Sequence, residues 1–227
     1  YIPVLLIVLT MTGFITGKYM TQVFNGEKTF LTPVLKPVEK FIYSLCSVDE
    51  YEEMNWKTYT FSVVFFSFIN IVFLFLLQLL QGCLPLNPQK LPGVRWDTAL
   101  NTAISFVTNT NWQSYGGETT MSYLTQMLGL TVQNFLSAAV GIAASLTMIR
   151  GFIRKETEKI GNLWVDLTRS ILYILLPLSA FVAIILVFHG VPQTMSPYIT
   201  AQTIEGNNQI IAVGPVASQI AIKQLGT

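Results

Sequence analysis

TNTNWQSYGGETTMSY, residues Thr108–Tyr123, is polar and glycine-bearing, yet it lies between segments suited to lipid. Thr58–Leu80 on one side and Thr119–Ile149 on the other hold no charged residue. Non-helical polar backbone at membrane depth is tolerated only where it is buried in protein or lines a water-filled path. A re-entrant loop of this kind exposes backbone carbonyls to a passing ion. The stretch therefore implies an all-α polytopic membrane protein with a pore loop.

Composition agrees. The 227 residues are 52% hydrophobic and 11% charged, with a mean hydropathy of +0.53. Soluble domains run at about 25% charged. The net charge of +1 says nothing useful about nucleic acid, and the sequence has no basic patch and no aromatic–basic interleaving. Cys46 and Cys83 fall on opposite sides of a predicted span, which argues against a disulfide, and neither has metal-ligand spacing. His189 is the single histidine and cannot build a zinc site alone. No small-residue cleavage site follows the first apolar segment, so no cleavable signal peptide is expected. The chain opens on Tyr1 rather than Met and stops at Gly226-Thr227 inside a segment that reads as structured, so a fragment is expected.

Spanning helices are expected at about Tyr1–Thr16, Trp56–Gln81, within Thr120–Ile149, and at Ser170–Phe188, the last kinked at Pro177 because proline removes a backbone hydrogen bond. The intervening loops are unequal in charge. Gly17–Lys57 carries Lys18, Lys28, Lys36, Lys40 and Lys57, and Arg150–Arg169 carries Arg150, Arg154, Lys155, Lys159 and Arg169. These are ten of the thirteen basic residues. By the positive-inside rule both loops are cytoplasmic. The N-terminus, the polar stretch and the segment from Gly214 onward are then approached from outside.

Arg95–Thr108, RWDTALNTAISFVT, reads as a half-membrane helix, too short to span. Asp97 is the expected N-cap, and Leu100, Ile104 and Val107 form the expected apolar face. The partial negative charge at the C-terminus of such a helix favours a cation near Thr108. An interfacial helix with no ion nearby is the competing reading. Carbonyls of Thr108, Asn109, Thr110, Asn111 and Trp112 can replace an ion's hydration shell. Gly116 and Gly117 permit backbone angles closed to other residues. Gln113 is placed either to brace the loop or to touch the ion, and Trp112 and Tyr115 to pack around it. Glu118 is the one acid near the mouth, either drawing cations or simply solvated.

The C-terminal segment reads as a second copy of the same device. Pro215 suits a first helical position. Val216, Ile220 and Ile222 supply an apolar side, and the helix ends at Leu225-Gly226-Thr227. Such weak internal repeats are common in transport proteins.

Several blocks carry a resemblance: EMNWK around Trp56, LPLNPQKLPG at Leu84–Gly93, ALNTAISFVTNTNWQSYGGETT at Ala99–Thr120, GLTVQNFLSAAVGIA at Gly129–Ala143, GNLWVDLTR at Gly161–Arg169, and GPVASQIAIKQLGT at Gly214–Thr227, of which the NTNWQSY and GPVASQ…LGT stretches are highly specific. Along nearly its whole length the chain resembles the potassium-binding A subunits of the Kdp potassium-transporting ATPases. That resemblance implies the fold of the superfamily of potassium transporters, with re-entrant pore helices and filter loops in pseudo-repeated units around one pore. It implies a non-catalytic subunit of a P-type ATPase that takes up potassium from outside through a selectivity filter. The ion passes to the Kdp B subunit, which hydrolyses ATP. The Kdp C subunit and the small F subunit complete the assembly in the bacterial inner membrane. No cofactor is implied for this chain; potassium is cargo, and ATP and Mg2+ belong to the ATP-hydrolysing partner. By position, Thr108–Gln113 with Ser114 form the first filter loop, supported by Asp97, Gly116, Gly117, Glu118, Gly226 and Thr227. Gly226-Thr227 would stand just before a second filter. Gly116 stands where other members can carry Ser, and Ile220 where some carry Glu.

The expected organisation is a first helix and cytoplasmic loop over residues 1–57, a complete membrane–pore-loop–membrane unit over 58–150, and a second unit over 151–227 that stops before its filter. A channel or ion-coupled transporter of the same superfamily, working without an ATPase, is the alternative. A membrane enzyme using Glu118, Asp97 or His189 finds no paired carboxylates, nucleophile–base set or metal cluster to support it.

Overall fold

The computed structural model describes residues 2–155 and 157–226. The chain is a mostly helical polytopic membrane protein. Ile2–Phe24, Trp56–Cys83, Thr125–Ile153 and Leu163–Phe188 are each long and apolar enough to cross a membrane.

Helix α1 (Ile2–Phe24) runs past the expected end at Thr16. Nothing after Gly17 breaks it until Asn25-Gly26, where Gly26 takes a positive φ of 73° and bonds back to the Val23 carbonyl. The expected loop that follows contains a helix, α2 (Thr32–Cys46), opened by proline at its first turn. Strand β1 (Met54–Asn55) leads into α3 (Trp56–Leu80), whose N-cap Asn55 accepts a hydrogen bond from the Thr58 N–H at 2.9 Å.

The re-entrant region comprises α4 (Trp96–Val107), an irregular loop and the single turn α5 (Gly117–Thr120). The next span opens with a wide π-helical stretch, Thr125–Thr131, and continues as α6 (Val132–Ile153). Strand β2 (Lys159–Gly161) pairs antiparallel with β1, joining the two basic loops. Both therefore lie at one end of the bundle.

The last span starts seven residues earlier than expected: α7 (Leu163–Arg169), a π-helical stretch Ser170–Leu175, then α8 (Leu176–Phe188). Arg150 and Arg169 accordingly sit within helices, not in the loop. The disturbance predicted at Pro177 takes the form of this π-helical stretch just ahead of it. The carbonyl of Tyr173 would ordinarily bond the N–H that Pro177 lacks; it accepts the Tyr19 hydroxyl at 2.9 Å. A hairpin of β3 (Ile199–Gln202) and β4 (Asn208–Ile211) then precedes α9 (Val216–Gly226).

Three clusters hold the elements together. One packs α4 on α3 through Leu74, Leu77, Ala99, Ala103 and Phe106 with Met121 and Leu130. The second joins Tyr59 to Phe135, Ala139, Leu163 and Leu167, and the third joins Phe24 to Leu172 and Tyr173. Polar contacts close the basic end. Arg150 bonds Asp166 at 2.6 and 2.9 Å, Arg154 bonds Glu53 at 2.9 Å through both nitrogens, and Arg169 bonds Glu39 at 3.0 Å. Cys46 and Cys83 are both free thiols.

Candidate functional site

Helix α4 is positioned chiefly by α3. Gln78, fully buried, donates to the Ala99 carbonyl at 3.1 Å, and its own backbone carbonyl accepts the Val94 N–H at 3.0 Å. The buried face of α4 combines four small or polar residues, Ala99, Thr102, Ala103 and Ser105, with Phe106 and Val107. Leu100 and Ile104, expected to face the core, are exposed. Val107, the third residue of that expected face, is buried; in lipid there is no water to drive large apolar groups inward, so Leu100 and Ile104 can face outward. Asp97 is not the N-cap. Arg95 occupies that position, and Asp97 lies in the first turn, its carboxylate taken by the Arg95 guanidinium and the Thr98 N–H. Its hydrogen bond and ion pair with Arg95 hold that carboxyl well below the usual range.

At the C-terminus of α4 the chain turns back on the helix. The N–H groups of Thr108 and Asn109 bond the carbonyls of Ile104 and Phe106, and those of Thr110 and Asn111 both bond the Ser105 carbonyl, at 3.0 and 3.3 Å. A trans peptide carries its carbonyl opposite the following N–H. The carbonyls of Thr108, Asn109 and Thr110 therefore point away from the helix end. Among the described residues no hydrogen bond reaches the carbonyls of Thr108, Asn109, Thr110 or Asn111.

The conformational freedom this turn needs comes from asparagine. Asn109 and Asn111 take positive φ of 60° and 52°, with Thr108 at −85°. Asparagine tolerates the left-handed region better than other non-glycine residues. Gly116 and Gly117, expected to supply that freedom, do not; Gly116 has φ −82° and Gly117 begins α5.

Side chains brace the loop from both flanks. The buried Ser105 hydroxyl donates to the Trp112 carbonyl at 3.1 Å and sits 3.2 Å from the Thr110 hydroxyl. From α6, Ser137 donates to Asn109 Oδ1 at 3.1 Å, and Asn111 Nδ2 reaches the same oxygen. The buried Asn111 Oδ1 has no partner among the described residues. Gln113 donates to the Tyr115 hydroxyl at 3.1 Å, and Tyr115 packs against the α3–α4 core as expected. Trp112 does not pack around the loop; it is 52% exposed. Ser114 and the Glu118 side chain are also exposed, and the Glu118 carbonyl accepts the Tyr198 hydroxyl.

One residue that no sequence motif marks closes the re-entrant segment at its base. Gln81, fully buried, donates at 2.7 Å to the carbonyls of Pro92 before α4 and Thr120 after the loop, and accepts the Ser122 N–H at 3.0 Å. Gln126 adds bonds to the carbonyls of Gly117 and Met121. Gly93 fits here because a Cβ would overlap the Leu79 carbonyl oxygen. The only sequence signal is a pair of glutamines at the end of an apolar span, which reads equally well as an interfacial boundary.

The C-terminus of α9 comes to the same place. A Cβ at Gly226 would lie 2.5 Å from the Asn134 carbonyl oxygen, so glycine permits α9 to press onto α6. Asn109 and Gly226 line one cavity of about 430 Å³ along α6, beside Gly141 and Ser145. Of the expected apolar side of α9, Ile222 packs into the core and Ile220 is exposed. Thr227 lies outside the described residues.

Known proteins are similar to this chain over long stretches. The chain is 51% identical over 231 residues to a potassium-transporting ATPase potassium-binding subunit of Clostridium botulinum (strain Eklund 17B / Type B), covering 98% of the chain and 40% of that relative. It is 56% identical over 211 residues to the protein of that name in Methylorubrum extorquens, covering 93% and 37%. The corresponding Pseudomonas aeruginosa protein is 53% identical over 211 residues. The chain thus spans about two fifths of the length of the curated relatives it matches. A family model described as the potassium-transporting ATPase A subunit, KdpA, matches residues 3–227, and the chain belongs to that family.

Proposed function

We propose that this chain forms part of the potassium-binding, translocating subunit of an ATP-driven potassium importer. The unbonded carbonyls of Thr108–Asn111 form one sector of its selectivity filter. The observation that carries this reading is the turn at the end of α4. Four consecutive N–H groups are consumed by the helix, while the carbonyls between them are turned away and left without hydrogen bonds. Oxygens so arranged replace part of a cation's hydration shell, and the negative end of the helix supports the charge.

Trp112, Gln113 and Ser114 complete the filter loop, with Gly116, Gly117 and Glu118 at its outer flank and Asp97 at the mouth of α4. The second device ends at Gly226-Thr227, and the cavity shared by Asn109 and Gly226 is where the two sectors meet. The relatives' name supports potassium as the ion and an ATPase as the energy source. ATP hydrolysis then belongs to the Kdp B subunit, with the C and F subunits completing the complex in the bacterial inner membrane. The basic end, bearing most of the lysines and arginines, faces the cytoplasm, and the N-terminus lies outside.

The test is rubidium uptake and growth at low potassium in a bacterium lacking its own uptake systems, using the full-length protein that carries this chain. Uptake that requires both the ATPase partner and ATP is expected. Uptake by the full-length protein alone would overturn the ATP-driven reading in favour of a self-sufficient channel.

A further inference from the structure

Helix α2 is divided into three faces. Glu39 and Tyr43 are buried against the rest of the chain, with Leu35 and Ile42 packed beside Tyr173. A second face is large, apolar and uncovered: Val34, Val38, Phe41 and Leu45 are 70%, 44%, 66% and 73% exposed. At about 100° per residue these four fall within an arc of roughly 60°. Phe30, just before the helix, is 78% exposed. The third face is cationic. Lys28, Thr32, Lys36 and Lys40 line an open groove of about 600 Å³. Lys36 is committed to Glu50 at 2.8 Å and Glu39 at 3.2 Å, whereas Lys28 and Lys40 make no ion pair among the described residues.

The helix also sits at a definite depth. It lies between the end of one span at Phe24 and the start of another at Trp56, at the end of the bundle where the basic loops meet. Trp56 and Tyr51 are exposed at that same end, and Lys57 lies 5.7 Å from the Trp56 ring centroid. Exposed Trp and Tyr with nearby Lys mark the level where hydrocarbon gives way to headgroups. A helix with a narrow apolar stripe and lysines beside it lies in the plane of that interface. The lysine stems can run along the apolar stripe while their ammonium groups stay wet.

We propose that α2 is an in-plane membrane anchor that seats the Phe30–Leu45 stripe in the acyl boundary and binds anionic phospholipid headgroups through Lys28 and Lys40. The commitment to lipid, over a protein partner, comes from charge: cations flank an apolar face at headgroup level, where the complementary anion is the lipid phosphate. The inference is independent of which ion the protein carries.

The experiment uses the full-length protein in a cysteine-free background, reconstituted in phosphatidylcholine with and without phosphatidylglycerol. A fluorophore is placed at Val38→Cys on the stripe and, as a control, at Ser44→Cys on the lysine side. Bromine-labelled acyl chains should quench the Val38 probe strongly and the Ser44 probe weakly. Shielding of the Val38 probe from both bromolipid and aqueous quencher would mean that protein covers the stripe, and would overturn the proposal. In a second arm, native mass spectrometry compares retention of phosphatidylglycerol by the parent and by the Lys28→Gln/Lys40→Gln double variant. At about 1 kcal/mol per lysine, preference for the anionic lipid should fall roughly tenfold or more. An unchanged preference would remove the lysines from the proposal. Because the first arm leaves the lysines intact, misfolding of the double variant would not mask the outcome.

Discussion

Asn109 and Asn111 hold the geometry on which the proposed filter depends. Their left-handed backbone turns the N–H groups onto α4 and the carbonyls outward. A β-branched residue in that region costs about 1–2 kcal/mol, whereas glycine has no such penalty. Asn111→Val is therefore expected to weaken potassium affinity about tenfold, and Asn111→Gly far less, in the concentration dependence of rubidium uptake by the full-length protein. Equal effects of the two substitutions would point to the amide side chain rather than the backbone. Gln113→Arg is expected to be more severe, because it fixes a cation beside the carbonyls; unchanged uptake at micromolar potassium would remove Gln113 from the filter. The segment itself was legible in the sequence because polar, glycine-bearing residues interrupt an apolar region. Which residues bend was not. Glycine is the usual choice for positive φ, and only the hydrogen bonds to Ser105 reveal that asparagine takes that place here.

At the scale of elements, the re-entrant helix is held less by its own sequence than by glutamines on its neighbours. Gln81 satisfies two carbonyls and one N–H at the base of the loop. Replacing it by leucine leaves those groups without partners, at about 1–3 kcal/mol each where no water reaches them. Gln81→Leu is expected to lower thermal stability by several degrees in detergent and to depress uptake even though residue 81 touches no ion. A variant with wild-type melting and wild-type uptake would show that the re-entrant segment closes without this bridge. The four spans and the half-length of α4 were readable from apolar run length, since lipid imposes that length directly. Helix α2 and the β3–β4 hairpin were not. Pro33 and Pro37 disguise the first as a loop, and the hairpin consists of short strands outside the long apolar runs.

Across the whole molecule, the two basic loops are one structure. Glu39 on α2 accepts from Arg169 and Tyr173 on the last span and from Tyr43 on its own helix, at 3.0, 2.8 and 2.9 Å. Burial alone would raise this carboxyl, but the hydrogen bonds from Tyr173, Arg169 and Tyr43 outweigh it and hold it below the ordinary carboxylate range. Burial raises the Tyr43 hydroxyl, and the adjacent carboxylate raises it further, so Tyr43 remains a donor. Loop charge counts treat these residues as separate, yet Arg150, Arg154 and Arg169 are all paired with acids here. Because the folded state depresses the pKa of Glu39, its contribution to stability is present above the unfolded carboxylate value. That contribution is lost as pH falls through the folded one. Thermal stability of the full-length protein should therefore decline on acidification below the ordinary carboxylate range. Glu39→Gln should destabilise the protein at neutral pH by less than the ~3–5 kcal/mol of a fully broken buried pair, because Arg169 loses Glu39 but keeps Glu50 at 3.6 Å, and the acid dependence should flatten. Melting curves of the two proteins across that pH range decide the matter. Parallel declines would place the acid-sensitive group elsewhere in the protein. A flattened curve would identify the Glu39 cluster as the lock joining α2 and the last span.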